Sequence, residues 1–167
     1  MVTDIAIRRS LPKSLKLAGI VAGAMMLVST AATAGQCPAD KVVASGQGQQ
    51  AGATMPKDVT DTVLGAIELA KEPVAIADRQ FRLRRLEIQP GGEVPWHSHE
   101  DRPAIIYVVQ GEVVEYSSEC AAPILHKAGD VSIETHGVAH WWKNTGSETV
   151  ILISTDLLHV ESDEHVM

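Results

Sequence analysis

The sequence lacks an excess of basic charge: 14 Lys and Arg stand against 21 Asp and Glu, a formal −7. Nucleic-acid phosphates select basic surfaces, so no nucleic-acid partner is expected. Cysteine is scarce as well, and the two present, Cys37 and Cys120, cannot build a four-cysteine zinc site. Thirteen glycines and eight prolines are too few for a collagenous or low-complexity chain, though they suit a turn-rich β domain. There is no internal repeat. What is there is a chain of 167 residues, 45% hydrophobic, which argues for one folded domain and against wholesale disorder.

The N-terminus stands apart. Arg8, Arg9, Lys13 and Lys16 precede an apolar run at 17–28, followed by Ser29, Thr30, Ala31 and the small residues Ala32-Thr33-Ala34. Charged, apolar and small residues in that order make a secretory signal, with cleavage expected after Ala34 and a periplasmic or secreted product. An uncleaved anchor is the weaker alternative, because the run falls short of the ~20 residues that span a bilayer. No stable membrane insertion is expected after cleavage. Arg8-Arg9 with Leu11 and Lys13 partly resembles a twin-arginine signal, but Pro12 breaks the pattern, so the Sec route is expected. Removal of residues 1–34 takes away four basic side chains and Asp4, and −7 becomes −10. In an exported chain Cys37 and Cys120 are expected to form one disulfide, with two free thiols as the alternative.

Residues 35–59 read as an extended or mobile arm: 37–54 are rich in Gly, Gln, Ala and Ser and show neither helical nor strand period. From residue 62 short apolar runs alternate with turn residues. The expected strands are 63–69, 81–88, 94–97, 104–109, 112–116, 124–126, 131–133, 140–143 and 149–155, an all-β sandwich or barrel over 60–157. Residues 158–167 form an acidic tail containing His159 and His165.

His97-Ser-His99 is an H-x-H on an expected strand, where alternation puts both imidazoles on one face, within reach of one metal ion. His140 opens a later strand. Alone, H-x-H is often only a polar surface pair. Its surroundings are more specific: Gly91-x5-His97-x-His99-x4-Ala104-x6-Gly111, then 17 residues on, Gly129-x5-Thr135-His136-Gly137-x2-His140-x3-Asn144. These two patterns resemble the paired motifs of the cupin family. The resemblance implies a small jelly-roll β-barrel.

In metal-binding cupins the first motif supplies two histidines and a glutamate, and the second a third histidine. Carried over, the implied ligands are His97, His99 and His140, and the glutamate position holds Ala104. Three neutral imidazoles leave a divalent ion its full charge and open positions, which favours an anionic further ligand. One divalent ion is expected, iron first, with copper, zinc, manganese and nickel as other candidates. A replacement acid from among Glu93, Glu100, Asp101 and Glu134, or a metal-free site, are the alternatives.

Arg102 is a candidate for binding a substrate carboxylate, against a plain ion pair with a neighbouring acid. By parity Trp142 could wall the cavity, while Tyr107 and Trp141 should point outward. His126 and His136 are either partners of the ligands or exposed. Arg79, Arg82, Arg84 and Arg85 are expected to form exposed charge pairs on a strand. No catalytic residue is assigned. The functional expectation is a metal-dependent, dioxygenase-type oxidoreductase acting on a small organic anion; the alternative is a non-enzymatic cupin binding a metal or small ligand. Small cupins are often dimers, so a homodimer is carried as an expectation.

Overall fold

The computed structural model describes residues 35–160. The expected leader and the end of the tail, with His165, lie outside the described residues. Eight strands follow in order: β1 Lys57–Glu68, β2 Arg79–Ser98, β3 Ala104–Gln110, β4 Glu112–Ser117, β5 Ile124–Lys127, β6 Val131–Glu134, β7 Ala139–Lys143 and β8 Val150–His159. A single 3-10 turn, Leu69–Lys71, interrupts them, and there is no α-helix among the described residues. The strands are hydrogen-bonded in the order β5-β4-β7-β2-β8-β3-β6, with β1 also on β2. Every pairing is antiparallel. The architecture is an all-β jelly-roll barrel.

β2 joins the two faces. The expected break between strands 81–88 and 94–97 does not end it; the strand runs on for 20 residues and changes partners there. Its first half pairs with β1 and β8, and its second half with β7. Gly92 makes the crossover possible, because a Cβ there would lie 2.7 Å from the Asp58 carbonyl oxygen. The Gly91 amide donates to the Asn144 carbonyl at 2.9 Å, and the Asn144 amide to that of Gly92 at 3.0 Å, which ties the two motifs together.

The barrel interior changes character along its strands. One half is apolar: Leu86, Ile88, Val94, Ile106, Val108, Val113, Trp142, Val150 and Leu152 pack as one core. Burying such side chains is the main favourable term in folding, about 1.5–3 kcal/mol each for the large ones. The other half is polar. Inward positions of β2 run Arg82, Arg84, Leu86, Ile88, and those of β8 run Val150, Leu152, Ser154, Asp156 in the opposite direction. Register brings Arg82 opposite Asp156 and Arg84 opposite Ser154.

The expectation of exposed charge pairs is therefore wrong for Arg82 and Arg84. Both are buried, while their neighbours Phe81 and Leu83 face outward. A buried cation persists only when paired: Arg82 takes Asp156 of β8, 74 residues away, and Arg84 takes Asp61 of β1, with Asp156 also within 3.4 Å. Arg82 donates from Nε and Nη2 to the two carboxylate oxygens of Asp156 at 2.9 and 2.6 Å.

The arm is not loose. Cys37 and Cys120 are joined in a disulfide with their Cα atoms 5.7 Å apart. Beyond it, the amides of Val43, Gly48 and Gln49 donate to the carbonyls of Glu119, Ser118 and Ser117. Trp141 points outward, stacks on Tyr116 with ring centroids 4.1 Å apart, and donates from its indole to the Gln50 carbonyl. The arm's backbone groups thus find their partners on the loop after β4 and on β7.

Candidate metal centre

Two strand ends deliver the three histidines. His97 and His99 lie at and just past the end of β2, and His140 is paired with His97 across the β2–β7 ladder. His140 Nε2 lies 3.0 Å from His99 Nε2 and 3.1 Å from His97 Nε2. His99 and His140 are buried, His97 partly so.

The opposite edge of each ring fixes its tautomer. His97 Nδ1 meets the Pro95 carbonyl at 2.9 Å, His99 Nδ1 the Arg102 carbonyl at 2.8 Å, and His140 Nδ1 the Glu115 carboxylate at 2.7 Å. A carbonyl and a carboxylate only accept, so each Nδ1 carries the proton and donates. Each Nε2 then presents a lone pair; the three converge with no proton between the rings, and the nearest donor is the Trp142 indole, 3.4 Å from His140 Nε2. Bringing them together is repulsive unless a cation sits among them. Nitrogens at this spacing fit an ion bound at about 2.0–2.1 Å. Donation from the distal nitrogen to a carbonyl or carboxylate is the usual way a protein orients metal-binding histidines.

Titration of His97 and His99 agrees with that donor set. Burial holds the His97 imidazole well below its ordinary value, helped by the neighbouring His140 and His99. Burial, with His140 beside it, takes His99 down to about 3. At neutral pH both offer a lone pair. His140 is raised: burial opposes its protonation, but Glu134 and Glu115 outweigh that.

Behind His140 lies a carboxylate network that sequence reasoning did not find. Glu115 Oε1 accepts from His140, and Glu115 Oε2 accepts from His126 Nε2 at 2.7 Å. Burial alone would raise the Glu115 carboxyl; the two histidine hydrogen bonds reverse this and take it to about 2. Glu134 Oε2 lies 3.3 Å from the same His140 Nδ1, and Oε1 accepts from the Ser132 hydroxyl at 2.6 Å. Burial, strengthened by nearby Glu115, pushes Glu134 up to about 7 against the pull of His140. Glu115 lies in phase with Val113, the inward position of β4, but Val114 and Tyr116 make the other phase apolar as well.

The four acids weighed as replacement ligands are engaged elsewhere. Glu93 is bonded to Lys143 at 2.7 Å, Glu100 pairs with exposed His136 at 3.3 Å, and Asp101 holds Arg79 and His159. Glu134 stands on the Nδ1 side of His140, away from the converging nitrogens. Ala104 points inward, with Glu134 opposite it on one side and Asp156 on the other.

Open to the histidines is a cavity of about 20 Å³, walled by Leu86, Val94, Ile106, Trp142 and Leu152, with Arg84 and Ser154 as its polar end. That is room for about one water molecule. Trp142 is a wall residue, and its indole nitrogen lies 3.1 Å from His140 Nδ1, with the two rings nearly perpendicular. Arg102 is not part of the wall. It is buried, its carbonyl positions His99, and its Nη1 is 3.6 Å from Asp156. The guanidinium at the cavity is Arg84, whose Nε has no hydrogen-bond partner and whose Nη2 lies 3.4 Å from Ser154 Oγ. Tyr107 faces outward.

The same barrel and motifs recur in known proteins. A model of the cupin domain matches residues 84–156. A Thermotoga maritima protein named oxalate-binding protein is 33% identical over 90 residues, 54% of this chain and 71% of that one. An auxin-binding protein of Prunus persica is 33% identical over 72 residues, and this chain spans about a third (34%) of its length. The crystal structure described as that of a predicted oxalate decarboxylase from Thermotoga maritima superposes with a TM-score of 0.51 at 25% identity, covering 70% of this chain and 97% of that one. Barrel, histidine triad and relatives agree, and the chain belongs to the cupin family.

Proposed function

We propose that this chain is an exported cupin that holds one divalent metal ion on His97, His99 and His140 and binds a small organic anion beside it. The observation that carries this is the set of three converging Nε2 lone pairs, each fixed by a hydrogen bond at the opposite nitrogen. The ion would supply a localised positive charge that attracts and polarises an anion. The protein's part is to exclude water with the apolar wall and to place Arg84 and Ser154 at the far end. The Thermotoga maritima relative named oxalate-binding protein supports a small carboxylate as that anion.

Iron with O2-dependent oxidation of the anion is the enzymatic form of this proposal. Binding without turnover is the second form. What favours it is that no acid or base stands free on the cavity wall: Glu115 and Glu134 are both on the far side of His140. Metal analysis of protein from its own compartment, calorimetry with oxalate and an oxygen electrode separate the cases. About one ion per chain and oxalate binding only to the metal-loaded protein are expected; no retained or reloadable ion would end the proposal. Oxygen uptake with oxalate or another small carboxylate picks the enzymatic form.

Export is supported by the order of charged, apolar and small residues before Gly35 and by a disulfide that suits an oxidising compartment. Cell fractionation tests it. The homodimer is supported by an apolar outer face: Ile105 pairs with Ile133 and Tyr107 with Val131, all exposed, and Ile153 and Leu83 continue the rows on β8 and β2. Self-pairing of one such patch about a two-fold axis covers both copies. Light scattering should give a dimer, and Ile105→Glu a monomer.

A further inference from the structure

A second chamber, of about 220 Å³, lies on the Nδ1 side of His140, under the arm. Glu115, Glu119 and Glu134 line it together with Gly35 and Cys37, and no Lys or Arg does. Behind its lining residue Gly35 lies an unmet need. His126 is fully buried and donates from Nε2 to Glu115. With its proton there, it presents a lone pair at Nδ1, and that atom has no hydrogen-bond partner. A buried acceptor left unsatisfied costs about 1–3 kcal/mol, so a donor is expected at this point.

Gly35 is the residue packed against it. It is buried, with φ at +81°, and a Cβ at this position would stand 3.1 Å from His126 Nδ1 and 2.9 Å from Asp130 Cβ. A side chain is therefore excluded. Two residues on, the Cys37–Cys120 disulfide holds the segment in place. Gly35 is also the residue directly after Ala32-Thr33-Ala34.

We propose that cleavage after Ala34 creates the cation this chamber lacks: the α-ammonium of Gly35, seated between His126 Nδ1 and the carboxylates of Glu115, Glu134 and Asp130. The inference rests on the export proposal above. In the step, water hydrolyses the Ala34–Gly35 amide under an export peptidase, and the acid formed on Ala34 gives its proton to the freed amine, leaving a carboxylate on Ala34 and an ammonium on Gly35. Before cleavage the nitrogen is a neutral amide with one N–H; afterwards it has three donors and a positive charge. Glu115, which it would face, is the residue that orients His140, so processing sets the metal centre.

The test uses protein exported by cells carrying the full-length gene. Intact mass and N-terminal sequencing should show Gly35 first, and acetylation at pH 7 should modify its amine at least tenfold more slowly in the folded than in the urea-unfolded chain. A variant with two glycines inserted between Ala34 and Gly35 moves the ammonium about 7 Å along the chain. Its amine should react at the unfolded rate, and its affinity for added zinc should fall several-fold. A mature chain starting elsewhere would overturn the cleavage site and the inference with it. A chain that starts at Gly35 yet reacts quickly, or an insertion that leaves zinc affinity unchanged, would overturn the docked ammonium alone.

Discussion

Glu115 grips His140 at Nδ1, 2.7 Å away, on the edge of the ring opposite the nitrogen that faces His97 and His99. The carboxylate therefore sets the ring's tautomer and angle without touching any ion. Glu115→Gln keeps the shape but turns a charged acceptor into a neutral amide. Removing such a partner of a metal-binding histidine typically costs about 10–100-fold in metal affinity, and that loss is expected here by competition with a chelator. His140→Ala, which removes a ligand, should cost far more than His126→Ala, which removes only the second anchor of Glu115. Equal losses for the two histidines would sink the ligand assignment.

Titration of the metal-free protein gives a second check. His99 is lowered from 6.5 to about 3 by burial first and His140 second. A histidine whose folded value is depressed binds its proton less readily folded than unfolded. Its contribution is nil above the unfolded value and turns destabilising as pH falls from about 6.5 toward 3. The expected ring 15N shifts are those of a neutral imidazole protonated at Nδ1, unchanged from pH 7 down to about 4. A His99 midpoint near 6.5 would mean that the ring is not buried as described.

The histidine triad was legible because strand parity and the glycines flanking it are written along the chain. His97 and His99 share a face by alternation, and His140 follows a turn set by Gly137. What stands behind the triad was not legible. On β4, Val113, Val114 and Tyr116 put apolar residues on both phases, so parity alone could not send Glu115 inward. His126 reaches it only because β5 pairs with β4, 11 residues away in sequence. Arg82 and Arg84 were misread for a related reason. Locally, alternating Arg with Phe81 and Leu83 looks like either face outward, and the carboxylates that decide it lie elsewhere, Asp156 on β8 and Asp61 on β1. The missing glutamate at Ala104 was visible, but not its neighbours Glu134 and Asp156, which close around it through β6 and β8.

Asp156 carries more cation than any other carboxylate in the interior. Arg82 makes two hydrogen bonds to it, Arg84 lies at 3.4 Å and Arg102 at 3.6 Å. Removing one partner of a buried pair costs about 3–5 kcal/mol, because the charge left behind has no counterpart. Asp156→Asn should therefore lower the urea-unfolding free energy by about that much. The paired replacement Arg82→Met with Asp156→Leu should recover part of the loss. A single-variant change below about 0.5 kcal/mol would show that the cluster is solvated.

Ala104→Glu tests whether the family's missing ligand position still faces the metal. The position is buried and flanked by Glu134 and Asp156, so a third carboxylate there meets like charge as well as tight packing. Forcing extra atoms into a packed interior typically costs about 1–3 kcal/mol, and an uncompensated carboxylate adds to that. The metal-free variant should therefore melt well below the parent. A divalent ion offers the new carboxylate a counter-charge, so the gap should narrow when metal is added, and affinity should rise relative to three histidines alone. Differential scanning calorimetry with and without zinc reads both effects. If metal raises the melting temperature of variant and parent equally, residue 104 does not line the centre, and its loss of glutamate has no bearing on the ion.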